Sequence, residues 1–201
     1  MLGFIHRTWP TTVAPMAAQR VGNKSPSVTQ SGNPAGNSSD DLDGFAVAVT
    51  REEGRWKCRV LSGAALTSLD TAVTELRELR SSGAVFGLLN VDDEFFIIVR
   101  PAPAGTRLLL SDATMAVDYD IAADVLDALN IEIPDIDPDE LDDIEPWEEG
   151  DLGILADMGL PEPVLSVILS ETDLYPDEQL DEIAQRLGFD DVLGNTLDKL
   201  R

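Results

Sequence analysis

Apolar and polar positions divide the chain into four stretches, and residues 40–130 hold the clearest pattern. Gly44-Phe45-Ala46-Val47-Ala48-Val49 is apolar and β-prone, and Arg55-Trp56-Lys57-Cys58-Arg59-Val60 alternates basic and apolar residues, as a half-buried strand does. Arg51-Glu52-Glu53-Gly54 between them is turn chemistry, so the two runs predict a hairpin. Leu69, Ala72, Val73, Leu76 and Leu79 recur at helical spacing, which turns one face toward a core. Thr67, with Asp70 three residues on, resembles a capping box at the start of this helix, and Gly83 closes the region. Ala84–Val91 and Glu94–Arg100 read as two more strands around an Asp92-Asp93 turn. Pro101 to Gly105 breaks the chain before a strand over Thr106–Ser111. Ile121, Ala122, Val125, Leu126 and Leu129 mark a second helix near Asp120–Leu129. The order β-β-α-β-β-β-α predicts an α+β fold, an antiparallel sheet of about five strands with two helices on one face.

The other stretches differ in kind. Residues 1–39 contain no Asp or Glu, three bases, and many Gly, Ser, Asn, Pro and Thr. They predict a disordered tail. A mitochondrial-type targeting peptide is the rival reading, weakened by few arginines and no visible amphipathic helix. Met16 is an alternative start. Residues 131–151 carry many acids and no base, punctuated by Pro134, Pro138 and Pro146, and predict an acidic linker. Residues 152–201 predict a small helical domain. Leu152, Leu155 and Met158 lead to a stop at Gly159, and Val164, Leu165, Ile168 and Leu169 mark the next helix. Leu180, Ile183, Ala184 and Leu187 mark another, with Pro176 at its start and Gly188 after its end. Val192, Leu193, Thr196, Leu197 and Leu200 suggest a last one. These helices form a small bundle or dock on the sheet; the pattern leaves both open.

Charge sharpens the picture more than bulk composition does. The chain is 43% apolar, enough for a real core, but 38 acids face 14 bases, a formal net charge of -24. Such a field repels phosphate backbones and disfavours direct nucleic-acid binding; it suits a basic partner, or simply solubility. Lys and Arg are missing from Leu108 to Gln185, where 24 acids fall. There is one cysteine, Cys58, and one histidine, His6. A lone cysteine makes no internal disulfide, which suggests a reducing compartment. No apolar run approaches the ~18 residues of a membrane span, and no signal-peptide h-region is visible. A cytoplasmic protein without membrane contact is the expectation.

Most catalytic chemistries lack their residues. A triad needs an oriented histidine, and His6 lies in the tail. Cys58 stands mid-strand between Lys57 and Arg59, and is placed on the face opposite Trp56. It reads as a packed strand residue, though its basic neighbours could lower its pKa. Zinc ligands at close spacing are absent, as are phosphate-cradling glycine motifs, so no cofactor is expected. Asp135-Ile136-Asp137-Pro138-Asp139 has the D-x-D-x-D spacing of a calcium loop, but Glu140 stands where that loop wants Gly and Pro146 where it wants Glu. The stretch also interleaves Ile136, Leu141, Ile144 and Trp147 with its acids. An exposed Trp among acids is a docking motif; a Trp folded back onto a domain is the plain alternative. Asp135, Asp137, Asp139, Glu140, Asp142, Asp143, Trp147, Glu148 and Glu149 are therefore the candidate partner-binding residues.

Several segments carry a resemblance. They are D-G-F-A-V-A-V at Asp43–Val49, R-E-E-G-R-W at Arg51–Trp56 and F-G-L-L-N-V-D-D-E-F-F-I-I-V-R-P at Phe86–Pro101. Further on come L-L-L-S-D-A-T-M-A-V-D-Y-D at Leu108–Asp120, P-W-E-E-G-D-L-G-I-L-A-D-M-G-L at Pro146–Leu160 and I-A-Q-R-L-G-F-D at Ile183–Asp190. In these segments, spread over roughly residues 40–200, the chain resembles the actinobacterial family of tRNA adenosine deaminase-associated proteins. The resemblance implies a protein partner, the deaminase, and no chemistry. Zinc deaminases use an H-x-E and a P-C-x-x-C pair; here Arg7 and Thr8 follow His6 and no second cysteine exists. The expectation is a non-catalytic accessory protein acting by protein–protein contact, with no direct nucleic-acid binding. Its alternative is an acidic mimic that covers the basic surface of another nucleic-acid-binding protein. An enzyme working with carboxylates alone is a third reading.

Overall fold

The computed structural model describes residues 44–137, 140–141 and 144–200. The expected N-terminal tail and its targeting-peptide rival lie outside the described residues. Five strands follow the predicted order: β1 (Gly44–Glu52), β2 (Arg55–Val60), β3 (Ala84–Val91), β4 (Phe95–Ala102) and β5 (Gly105–Leu110). A sixth, β6 (Glu149–Gly150), comes out of the acidic stretch. All pair antiparallel in one sheet, in the order β2-β1-β3-β4-β5-β6. The helices are α1 (Leu69–Glu78), α2 (Asp120–Leu129), α3 (Glu162–Leu169), α4 (Pro176–Leu187) and α5 (Asp190–Leu197).

Local chemistry sets the ends of these elements. Glu52 pairs with Arg55, leaving Glu53 and Gly54 in the turn with φ of 50° and 77°. Positive φ at both positions is the turn geometry whose twist matches that of the flanking strands. Helix α1 is capped one residue later than the Thr67/Asp70 spacing suggests. Ser68 is the N-cap, its hydroxyl accepting the Thr71 N–H at 3.3 Å. Thr67 is occupied closing the preceding 3-10 turn, donating its hydroxyl to the Ala64 carbonyl at 3.2 Å. Gly188 ends α4 in the left-handed region, at φ 78°, as its position after the apolar repeat predicts.

Alternation divides the sheet's apolar residues between two cores. Ala46, Ala48, Leu89, Val91, Ile97 and Val99 meet Leu69, Val73 and Leu76 of α1 and Val125 and Leu126 of α2. Val47, Val49, Phe86, Leu88, Phe96 and Ile98 meet Leu165, Ile168, Leu180, Ile183 and Phe189 of the C-terminal stretch. The C-terminal helices thus dock on the sheet's second face and make it the middle layer of three. The seam is aromatic: Phe189 lies 5.1 Å from Trp56 and 6.0 Å from Phe86, centroid to centroid. Burying each such ring is worth about 1.5–3 kcal/mol. Cys58 packs on this same face with Trp56, not opposite it, because residues two apart on a strand share a face.

Candidate partner-binding strap

The acidic stretch leaves α2 on one face, crosses the β5 edge, and enters the other face at Ile154 and Leu155. It is a strap around one edge of the sheet. Asn130 ends α2 at φ 59°, and the Ile131 N–H donates back to Leu126. Turns follow, with the Glu140 N–H donating to the Asp137 carbonyl at 2.8 Å and the Ile144 N–H to Leu141 at 3.1 Å.

The strap's exit is held from several sides. The buried Asp112 carboxylate accepts the Thr114 N–H at 2.8 Å and its hydroxyl at 2.7 Å, and also the backbone N–H of Trp147. Burial pushes the Asp112 carboxyl above the usual range against the pull of these donors. The Trp147 carbonyl accepts the Ala113 N–H at 2.8 Å, so both backbone groups of Trp147 are used. Glu149 and Gly150 then pair with Leu110 and Leu109, and the Asp151 N–H donates to Leu108 at 2.8 Å. Gly150 sits at φ 117°, and a Cβ there would lie 2.3 Å from the Leu108 carbonyl oxygen. Only glycine fits this close crossing. Arg107 pairs with Asp151, and Arg100 grips both oxygens of Asp157 and the Ile154 carbonyl. Arg100 and Arg107 face each other across β4 and β5; the two aspartates offset that like-charge opposition. The pairing holds the Asp157 carboxyl below the usual range, chiefly through its hydrogen bonds to Arg100.

The predicted partner-binding residues divide accordingly. Asp135, Asp137 and Glu140 are exposed, Glu148 is half-buried beside β6, and Glu149 is half-buried within it. Trp147 is 36% exposed. Asp139, Asp142 and Asp143 lie outside the described residues. Ile136, Leu141 and Ile144 are half-buried while Ile133 is 51% exposed, so the strap places exposed acids at Asp135, Asp137 and Glu140 beside partly covered aliphatic residues. The anchors Asp112, Arg107 and Arg100 are not among the predicted residues. Asp112, two before Thr114, is the local signal that could have found one of them, since Asp bonds the backbone two residues on.

Burial overrides charge at Cys58. The flanking bases point to the other face, and desolvation pushes the thiol up to about 12. A protonated, half-buried thiol is a poor nucleophile. Among the described residues, no helix is long and apolar enough to cross a membrane, and no group of three or more His, Cys, Asp or Glu side chains is arranged to hold a metal.

Comparison with known proteins agrees with the resemblance. Residues 44–190 match the family described as Rv3753c-like tRNA adenosine deaminase-associated protein. Protein Rv3753c of Mycobacterium tuberculosis is 67% identical over 162 residues, covering 81% of this chain and 92% of that protein. No solved structure matches the chain significantly.

Proposed function

On the premise that this chain belongs to the Rv3753c-like tRNA adenosine deaminase-associated family, we propose that it is a non-catalytic accessory protein of a tRNA adenosine deaminase. It works in the cytoplasm, through contact with that enzyme and without touching RNA itself. A tRNA-binding enzyme must present basic surface, and the strap offers its counterpart. The observation that carries the reading is the strap's surface: Asp135, Asp137 and Glu140 are exposed beside partly covered Ile136, Leu141 and Ile144, and Trp147 stays 36% exposed on a backbone fixed at both polar groups. A surface whose exit is already held loses less conformational freedom on binding. The deaminase would gain a regulator, since a strap on its basic surface competes with tRNA for the same field.

The test is a pull-down from native cytoplasm with the chain from Asp40 onward, at low and high salt. Recovery of the deaminase at low salt, fading at high salt, supports the docking. Recovery of a different nucleic-acid-binding protein would favour the acidic-mimic alternative. Recovery of neither would overturn both.

A further inference from the structure

The opposite edge of the sheet is finished in the opposite way. Among the described residues, strand β2 is the last in the order, with β1 on one side and no strand on the other. Its side chains alternate: Trp56 and Cys58 pack on the C-terminal face, while Arg55, Lys57 and Arg59 are exposed on the other. Lys57 bonds Glu52 at 2.8 Å across the hairpin. Among the described residues, Arg55 and Arg59 have no ion-pair partner. In a chain of 38 acids and 14 bases, three bases in one exposed row are a concentration, not background.

Among the described residues, the backbone of this edge is also unpaired in a definable pattern. Glu52 and Arg55 flank a two-residue turn, and the Leu61 N–H donates to Ala46 at 2.8 Å. Residues 55, 57, 59 and 61 therefore address β1, and alternation turns the N–H and C=O groups of Trp56, Cys58 and Val60 outward. Bases on an edge strand usually discourage pairing between copies. Against an acidic strand the same bases select instead of exclude.

We infer that the β2 edge receives an extended acidic segment of a partner protein as an added antiparallel strand. Its outward carboxylates pair with Arg55, Lys57 and Arg59, and its intervening residues bond the free backbone of Trp56, Cys58 and Val60. Two of the chain's own segments fit poorly. Residues 1–39 carry no acid, and Pro134, Pro138 and Pro146 interrupt the strap of a second copy as a strand. This surface is separate from the strap, and its test does not depend on the deaminase.

The probe is a labelled heptapeptide alternating glutamate and threonine, added to the full chain and followed by amide NMR and fluorescence anisotropy. The inference expects saturable binding with shifts at Trp56, Cys58 and Val60. N-methylation of the threonine amides, which face β2, weakens binding by at least about tenfold, while N-methylation of the glutamate amides leaves it. The Arg55→Glu/Arg59→Glu double variant loses binding with its thermal midpoint unchanged. Both N-methylated peptides binding equally would reduce the contact to charge and overturn strand addition. No binding, shifts confined to the strap, tighter binding of tRNA that displaces the peptide, or self-association through β2 would each overturn it as well. Because variants of β2 leave the strap intact, loss here is distinguishable from loss of deaminase recovery.

Discussion

At one edge of the sheet, β5 is covered by Glu149–Gly150 and an acidic strap; at the other, β2 shows its backbone and a row of bases. Both edges are polar, but only the first is tied down. Its anchors are the buried Asp112, the Arg107–Asp151 and Arg100–Asp157 pairs, and a glycine at a close backbone crossing. Among the described residues, the β2 edge has one exposed ion pair, Lys57–Glu52. The contrast teaches that the strap's exit, from Trp147 to Asp151, is held by a few groups near the sheet.

The comparison can be broken at the strap edge most readily. Gly150→Val forces a side chain into a positive-φ position against the Leu108 carbonyl. It should cost about 2–4 kcal/mol, read from the denaturant midpoint, with lost amide protection along β5. Asp112→Ala strands the Thr114 and Trp147 donors. A loss of about 1–3 kcal/mol is expected, with faster hydrogen exchange at Trp147. Unchanged exchange there would mean that the strap is held some other way.

Arg100→Met removes the grip on Asp157 and Ile154, and about 1–2 kcal/mol should go with it near neutral pH. The pH dependence has a definite sign. Asp157 has a folded pKa below its ordinary 3.8, so its contribution is present above that value and lost as pH falls through the folded pKa. The stability gap between wild type and Arg100→Met should therefore narrow in acid. Asp112 runs the other way: with its folded pKa raised above 3.8, its contribution is full below that value and is lost as pH rises through the folded pKa. At the β2 edge, Lys57→Ala should change stability by less than about 1 kcal/mol, since an exposed pair is worth little. A larger loss would erase the distinction between the edges.

The hairpins and helices were legible because their signals are local: alternation in Arg55–Val60, the Glu53-Gly54 turn, and apolar residues three and four apart in α1 and α2. The sixth strand was not, since two residues, Glu149 and Gly150, carry no period and pair only because Leu109 and Leu110 lie beside them. The docking of the C-terminal helices left a trace that alternation hid. Phe86–Leu89 and Phe95–Val99 are buried on consecutive residues, as strands covered on both faces must be. In the strap, the exposure of Asp135, Asp137 and Glu140 followed from composition. The clasp did not, because Asp112 and Trp147 are far apart in the chain and meet only in the fold. Cys58 shows the same limit, as its basic neighbours in sequence face away from its thiol.

The most direct test of the strap as a docking surface is a binding titration of the purified chain with purified tRNA adenosine deaminase across a range of salt. It is repeated with Trp147→Ala and with Asp135, Asp137 and Glu140 changed to their amides. The account predicts affinity that falls steeply with salt, a clear loss in both variants, and competition by tRNA. Salt-insensitive binding that both variants retain would contradict it.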